Sequence, residues 1–143
     1  MIIHVQDLAK RYGDVVAVDG LSFDVKQGEV FGLLGPNGAG KTTTIRIIMD
    51  ILQPDAGDVT VLGRSPNQAK SSVGYLPEER GLFRNLKVMD TLVYLAELKG
   101  VPKATARERA DYLLKRVQLQ DWAKRKVRDL SQGMQQRLQF VAS

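Results

Sequence analysis

The sequence predicts an α/β fold, because short apolar runs typical of β-strands alternate along it with segments whose apolar residues recur at helical spacing. The runs that predict strands are residues 2–8, 15–18, 21–25, 30–34, 58–62 and 73–76. The segments that predict helices are residues 43–52, about 88–99, about 104–117 and one that follows residue 131. A glycine-rich turn separates the run 30–34 from the helix 43–52. The chain therefore contains a strand, a glycine turn and a helix in direct succession.

This turn fits the pattern G-x-x-x-x-G-K-[ST] at every fixed position. Its residues, with the next one in the helix, are Gly35, Pro36, Asn37, Gly38, Ala39, Gly40, Lys41, Thr42 and Thr43. The glycines let successive backbone N–H groups converge on the phosphates of a nucleotide, and the positive end of the helix points at the same anion. Lys41 would reach the β- and γ-phosphates, and the Thr42 hydroxyl would ligate Mg²⁺. We expect a nucleoside triphosphate here.

Length and composition exclude several classes of site. A chain of 143 residues suits one domain with a core of ordinary size. It has no cysteine and a single histidine, which excludes a disulfide scaffold, a thiolate metal site and a histidine-cluster metal site. We expect that histidine, His4, to be a solvated strand residue. No apolar run approaches the ~20 residues that a membrane span needs, and the first residues do not form a signal sequence, so we expect a cytoplasmic chain.

The positive charge is concentrated in the last third of the chain. Residues 1–100 contain 11 Lys and Arg against 12 Asp and Glu, whereas residues 101–143 contain 10 against 4. Such an excess can mark binding to nucleic acid or to an anionic membrane. The other interpretation is a solvated helix face. It is favoured because the basic residues alternate with an apolar stripe and few aromatic residues lie among them.

Two further features are interpreted from the residues alone. The apolar stripes of the helices 88–99 and 104–117 predict a small helical subdomain, whose packing Leu119 and Trp122 would complete. Tyr12 allows two interpretations. It is either a half-buried packing residue or an aromatic ring that stacks on a purine base.

The order of the motifs resembles the ATP-binding subunit of an ABC transporter over nearly all of the chain. The loop Gly35–Thr42 is followed about ninety residues later by Leu130–Met134, which is similar to that family's LSGGQ signature. The resemblance implies a P-loop NTPase core (RecA-like) with an N-terminal antiparallel β subdomain and a helical subdomain. It implies a β subdomain with part of the core in residues 1–76, a Q-loop region in 77–86, and the helical subdomain with the signature in 87–143. It also assigns adenine stacking to Tyr12.

The chain departs from the family pattern at two motifs. Glu78 stands where the family has the Q-loop Gln, so its carboxylate could offer Mg²⁺ an oxygen but cannot donate a hydrogen bond. The signature reads LSQGM, which keeps Ser131 and Gly133 but places Gln132 and Met134 where Gly and Gln are usual. The resemblance implies that Ser131 and Gly133 act in trans on the nucleotide of a second copy.

A third departure is an absence. The apolar strand ending in Asp-Glu and the later His, on which hydrolysis in this family depends, do not occur in the 143 residues. We therefore expect an incomplete fold without its C-terminal half and without catalytic residues of its own. Its runs 30–34 and 73–76 would lack neighbouring strands. The 143 residues alone should bind ATP weakly and hydrolyse it negligibly, because the group that positions the attacking water is missing.

The resemblance also implies partners. These are a second ATP-binding domain in a head-to-tail dimer and transmembrane permease subunits, on the inner face of the cell membrane. No nucleic acid is expected. The stretch 77–83, which reads PEERGLF, is similar to ATPases of drug or sodium exporters. Two alternatives stay open at this point: an ABC-type ATPase that acts on nucleic acid or ribosomes, and a nucleotide-binding module without enzymatic activity.

Overall fold

The computed structural model describes residues 1–77 and 82–143, and the chain divides into two units, Met1–Gly74 and Tyr75–Ser143. The first unit contains β1 (Ile3–Tyr12), β2 (Val15–Val25), α1 (Lys41–Ile48), β3 (Ala56–Val61) and the short helix α2 (Pro66–Ala69). The second contains α3 (Val88–Leu98), α4 (Lys103–Arg116) and α5 (Gln132–Ala142). Three short 3₁₀ segments occur at Lys70–Ser72, Gln120–Trp122 and Val127–Asp129. The predicted combination of an antiparallel β part and a helical part is confirmed.

The sheet of the first unit is antiparallel with the strand order β2-β1-β3. Its core consists of Val5, Leu8, Val18 and Ile47, so α1 packs on it through Ile47. The runs 15–18 and 21–25 were predicted as separate strands but belong to one strand, β2. Gly20 joins them with a φ of 61°. Since glycine adopts a positive φ without steric cost, the strand can bend there without ending.

The prediction of buried strands at residues 30–34 and 73–76 is wrong for this structure, since neither run forms a strand. Val30 is fully exposed and Leu34 is 92 % exposed. β1 is paired on both sides, and neither run has a partner strand within residues 1–77 and 82–143. An extended segment without a neighbour cannot form ladder hydrogen bonds.

The helix after the glycine loop is shorter than the predicted 43–52. α1 ends at Ile48, and Asp50 follows with a φ of 56°, which is incompatible with a continuing helix. One side of this helix is buried. Ile47 is 2 % exposed, whereas Ile45 is 39 % and Ile51 53 % exposed. The sheet covers one face of the helix, and within the first unit no second layer covers the other.

The helical unit follows the predicted stripes. α3 ends before Gly100, whose φ is 79°, and α4 returns so that Leu92, Ala110 and Leu114 share one buried core. Leu138 of α5 is fully buried in the same core. Leu119 is buried and Trp122 packs partly buried against it, so the packing role predicted for these two residues is confirmed.

His4 lies on the solvated side of β1 and pairs with Asp24 of β2 across the sheet. Its Nδ1 is 2.5 Å from Asp24 Oδ1. The hydrogen bond that His4 donates to the Asp24 carboxylate, opposed by partial desolvation, raises the pKa of His4 above its ordinary value of 6.5.

The His4–Asp24 pair should make the stability of the first unit depend on pH. A raised pKa in the folded state means that the stabilisation is fully present below 6.5 and is lost as the pH rises through the folded pKa. We expect the free energy of unfolding to fall over this window and the fall to disappear in His4→Gln. Because the chain has one histidine, a single imidazole resonance reports the folded pKa. A folded pKa at or below 6.5 would contradict the proposed pairing.

Candidate nucleotide-binding site

The glycine loop is anchored to the sheet at Gly40. This residue caps α1 with a φ of 83°, in the left-handed region. A Cβ atom added at Gly40 would lie 2.1 Å from the carbonyl oxygen of Ala17 in β2. Since no real Cβ contact is that short, only glycine fits between the loop and β2. Gly38 also has a positive φ, of 85°, but a Cβ there would meet nothing within 4 Å.

The N-terminus of α1 is open toward the loop. No side chain caps this helix end, and its first turn contains no acidic residue. The first N–H groups of a helix have no acceptor within it, and the helix dipole adds partial positive charge there. The Thr44 hydroxyl is turned inward and donates to the Gly40 carbonyl at 3.0 Å, whereas Thr42 is exposed. The loop therefore presents unshielded donors to an anion.

Lys41 bends back over the loop that precedes it. Its Nζ donates to the carbonyl oxygens of Gly35 and Pro36, at 2.7 Å each. These two bonds hold the ammonium beside the loop, and the rest of the loop is closed by a hydrogen bond from Ala39 N to Pro36 O. A flexible ammonium with three donors can exchange carbonyl acceptors for phosphate oxygens, which are the stronger acceptors because they are charged.

Tyr12 lies at the end of β1, in the same unit as the loop, and is 47 % exposed. The Lys10 ammonium is 5.9 Å from the centre of its ring. Asp55 fixes this corner, because it accepts from Lys10 Nζ at 2.8 Å and from Arg11 N at 2.7 Å. Both bonds lower the pKa of Asp55, and the bond from Lys10 has the larger effect. The Tyr12 ring therefore has an open face on a corner that ion pairing stabilises.

The signature segment lies in the second unit. Ser131 is the N-cap of α5, and its Oγ accepts from Met134 N at 3.3 Å. Gln135 Nε2 donates to the Leu130 carbonyl at 2.8 Å, which fixes the turn that enters the helix. Gly133 lies in the first turn, and a Cβ there would meet nothing within 4 Å. The start of α5 is therefore capped by Ser131 and offers backbone N–H groups without a bulky neighbour.

Glu78, the predicted metal ligand from the Q-loop region, lies outside the described residues. Within residues 1–77 and 82–143, no group of three or more His, Cys, Asp or Glu side chains could hold a metal ion. Over the same residues, none of the helices has the length and apolar character needed to cross a bilayer.

Two contributors to the site were not predicted from the sequence. Thr44 completes the inner side of the loop, and the signal for it was its position four residues after Gly40, where a threonine hydroxyl can bond back to a carbonyl. Asp55 supports the Tyr12 corner from 44 residues away, and nothing in the local sequence indicated this.

The protein family of this chain follows from its match to a family model. Residues 18–143 match the family model described as "ABC transporter". The chain belongs to the ABC transporter family. The ATP-binding members of this family are generally ATPases.

Curated relatives carry the same family name. The uncharacterized ABC transporter ATP-binding protein YhaQ of Bacillus subtilis is 44% identical over 143 residues, which is 99% of this chain and 48% of that protein. The Nod factor export ATP-binding protein I of Ralstonia nicotianae is 42% identical, with 99% of this chain and 46% of that protein covered. The linearmycin resistance ATP-binding protein LnrL of Bacillus subtilis is 36% identical, with 99% and 47% covered. The present chain spans about half the length of these relatives.

Solved structures agree with the family. An ATP-binding subunit of an ABC transporter superposes with a TM-score of 0.84 at 28% identity, and all of this chain covers 61% of it. The cbiO1 protein of Clostridium perfringens, described as part of the ABC transporter complex cbiONQ, gives 0.83 at 26% identity, with 99% of this chain and 60% of that one covered. The alternative of an ATPase acting on nucleic acid or ribosomes has no support among these relatives.

Proposed function

We propose that this chain binds MgATP on the loop Gly35–Thr42 as part of an ATPase that drives transport through a membrane subunit. The observation that carries the proposal is the uncapped N-terminus of α1 with Lys41 held beside it. The donors present fit a triphosphate, because they combine backbone N–H groups with one mobile cation.

Each predicted site residue on the nucleotide side has a defined part in this proposal. The backbone N–H groups from Gly38 to Thr43 surround the phosphates, and Lys41 exchanges its carbonyl contacts for the β- and γ-phosphates. The exposed Thr42 hydroxyl is the ligand that the loop offers to Mg²⁺, which neutralises phosphate charge when bound. Tyr12 stacks on the adenine through its open face. Glu78 is proposed as a second oxygen ligand from the Q-loop region.

The signature completes a site in a second copy. The γ-phosphate on one loop would be contacted by Ser131 and the N–H groups near Gly133 of the partner copy, in a head-to-tail dimer. Support comes from the N-cap position of Ser131, because the start of a helix stabilises an anion. ATP then favours the closed dimer, since its γ-phosphate contacts both copies only in that state.

Export is the direction of transport that we propose. Two relatives are named for Nod factor export and for linearmycin resistance. The stretch PEERGLF of this chain is also similar to exporters of drugs or sodium ions. Membrane partners are proposed by analogy with cbiO1, which is described as part of the ABC transporter complex cbiONQ.

A mixed-dimer experiment tests the composite site. In the protein at its native length, Lys41→Ala removes the cation from the loop, and Ser131→Arg blocks the signature. Each variant alone should lose most of its ATPase activity. A mixture should recover activity, because a mixed dimer contains one loop with its lysine facing one signature with its serine. Steady-state ATPase assays of each variant and of the mixture measure this.

One control makes this result specific. Mixing Lys41→Ala with a second preparation of Lys41→Ala should restore nothing. A mixture of the two different variants that stays as inactive as either alone would refute the head-to-tail site, whereas full activity of Lys41→Ala alone would refute nucleotide binding at the loop itself.

A further inference from the structure

Gln139 of α5 is a buried polar residue that the proposed function does not use. It is 8 % exposed, and its neighbour Leu138 is fully buried in the helical core. Burying an amide costs free energy unless its hydrogen-bonding groups find partners. An apolar side chain would avoid this cost, which points to a role for the amide itself.

The Gln139 amide reaches a distant segment of the second unit. Its Nε2 donates to the carbonyl oxygen of Pro77 at 2.9 Å. Pro77 is the first residue of the predicted Q-loop region, residues 77–86. Because proline lacks an N–H, this carbonyl is the one backbone group through which Pro77 can form a hydrogen bond. The bond therefore attaches the start of the Q-loop region to α5.

Other hydrogen bonds do not hold this segment. Residues 73–77 form no strand, and Leu76 is 50 % exposed. Apart from the bond to Gln139, residues 75–77 make no hydrogen bond to residues 1–77 or 82–143. A segment without ladder hydrogen bonds depends on such single contacts for its position. Within the described part of the chain, Gln139 is therefore the residue that fixes this segment by hydrogen bonding.

The same side of α5 carries the signature. Ser131, Gln135 and Gln139 follow each other at intervals of four residues, which places them along one face of a helix. Gln135 is 9 % exposed and donates to the Leu130 carbonyl at 2.8 Å, so it fixes the turn into the helix. Buried amides of one helix thus hold the signature turn and the start of the Q-loop region.

We propose that Gln139 is a positioning residue that fixes the start of the Q-loop region relative to the signature, through the Pro77 carbonyl. This rests on the proposed function, in which the Q-loop region serves the nucleotide of its own copy and Ser131 serves the nucleotide of the partner copy. Hydrolysis depends on such positioning, since a displacement of about 1 Å can lower a rate roughly a hundredfold. Nucleotide binding depends mainly on the glycine loop, which lies in the first unit.

The first test replaces the amide in the protein at its native length. Gln139→Met keeps a long side chain that favours helix but has no hydrogen-bond donor. We expect kcat for ATP hydrolysis to fall about fivefold to tenfold, the size of effect that a neutral hydrogen bond has. The Kd for MgATP, measured by isothermal titration, should stay within about twofold. Steady-state ATPase assays measure kcat.

The matched control is Thr91→Val. Thr91 is fully buried in the same unit, and its hydroxyl donates to the Lys87 carbonyl at 3.0 Å, at the start of α3. Its loss removes a buried hydrogen bond without changing α5 or Pro77. Thermal stability should fall, whereas kcat should stay within about twofold. An equal fall of kcat in Thr91→Val and Gln139→Met would overturn the proposal, because loss of stability alone would then explain both.

Gln139→Glu tests the donor itself. A protonated carboxyl group can donate to the Pro77 carbonyl, whereas an ionised one can only accept, and burial raises the pKa of a carboxyl group. The ratio of kcat in Gln139→Glu to kcat in Gln139→Met should therefore rise above one as the pH falls from about 8 to about 5. A purely structural role would bring the ratio only to one when the charge is neutralised. A ratio that never exceeds one would overturn the proposal.

The nucleotide site can fail or stand independently of Gln139. Lys41→Ala acts at the loop and should weaken MgATP binding, which is the opposite pattern to that of Gln139→Met. An unchanged kcat in Gln139→Met, in a protein whose activity Lys41→Ala abolishes, would overturn only the role of Gln139. An unaltered protein that neither binds nor hydrolyses MgATP would refute the proposed function and this inference together.

Discussion

Lys41→Ala should weaken MgATP binding by about tenfold to a hundredfold. The ammonium is held beside the loop by two carbonyl acceptors, and on binding it would exchange them for charged phosphate oxygens. A hydrogen bond to a charged group contributes about 1.5–3 kcal/mol, and each 1.4 kcal/mol changes an affinity about tenfold. Isothermal titration of the variant and the unaltered protein with MgATP measures the difference.

The matched control for this prediction is Lys26→Ala. Lys26 is an exposed lysine of the same unit outside the loop, so its removal changes the net charge equally. It should leave the affinity within about twofold, because exposed charges are screened by salt. Equal losses in both variants would mean that net charge alone attracts the nucleotide.

Gly40→Ala should destabilise the first unit by more than about 2 kcal/mol. A φ of 83° costs a residue with a Cβ about 1–2 kcal/mol. In addition, the new Cβ would lie 2.1 Å from the Ala17 carbonyl oxygen, so the loop and β2 must separate. Hydrogen exchange of peptides from β1, β2 and α1 measures the effect, since about 2 kcal/mol corresponds to exchange that is roughly thirtyfold faster.

Gly38→Ala separates the cost of the positive φ from the cost of the Cβ contact with Ala17. Gly38 has a similar φ of 85°, but a Cβ there meets nothing within 4 Å. It should therefore carry the cost of the backbone conformation without that of the contact, and exchange in β2 should change little. If Gly38→Ala and Gly40→Ala accelerate exchange in β2 equally, the contact between Gly40 and Ala17 does not anchor the loop.

Local patterns predicted most of the elements, because each depends on residues that are near in sequence. The apolar stripes of α3 and α4, with Gly100 as the stop signal between them, predicted the ends of both helices to within a residue or two. The runs at residues 30–34 and 73–76 were predicted as strands by the same kind of pattern and are not strands here. A strand depends on a partner elsewhere in the chain, and an apolar run does not show whether the partner is present.

In the candidate site too, the features predicted from the sequence are local, and the features that were missed depend on distant segments. The motif predicted the loop, and the structure shows why Gly40 occupies its position, through a carbonyl contact to Ala17 in β2 that no spacing rule indicates. The support of Tyr12 by Asp55 and the backbone hydrogen bonds between residues 84–88 and residues 125–128 are likewise contacts between distant segments. The sequence predicted the charge of residues 124–128, but not that Arg84 and Lys87 lie beside them.

In the proposed complex, main-chain N–H groups of the loop surround the phosphates. Titrating a uniformly ¹⁵N-labelled sample with MgATP and following each backbone amide tests this directly. The largest shifts should belong to the amides of residues 38–43, and Lys41→Ala should move the same amides only at much higher ATP. Shifts confined to other residues, with those amides unchanged at saturating MgATP, would contradict it.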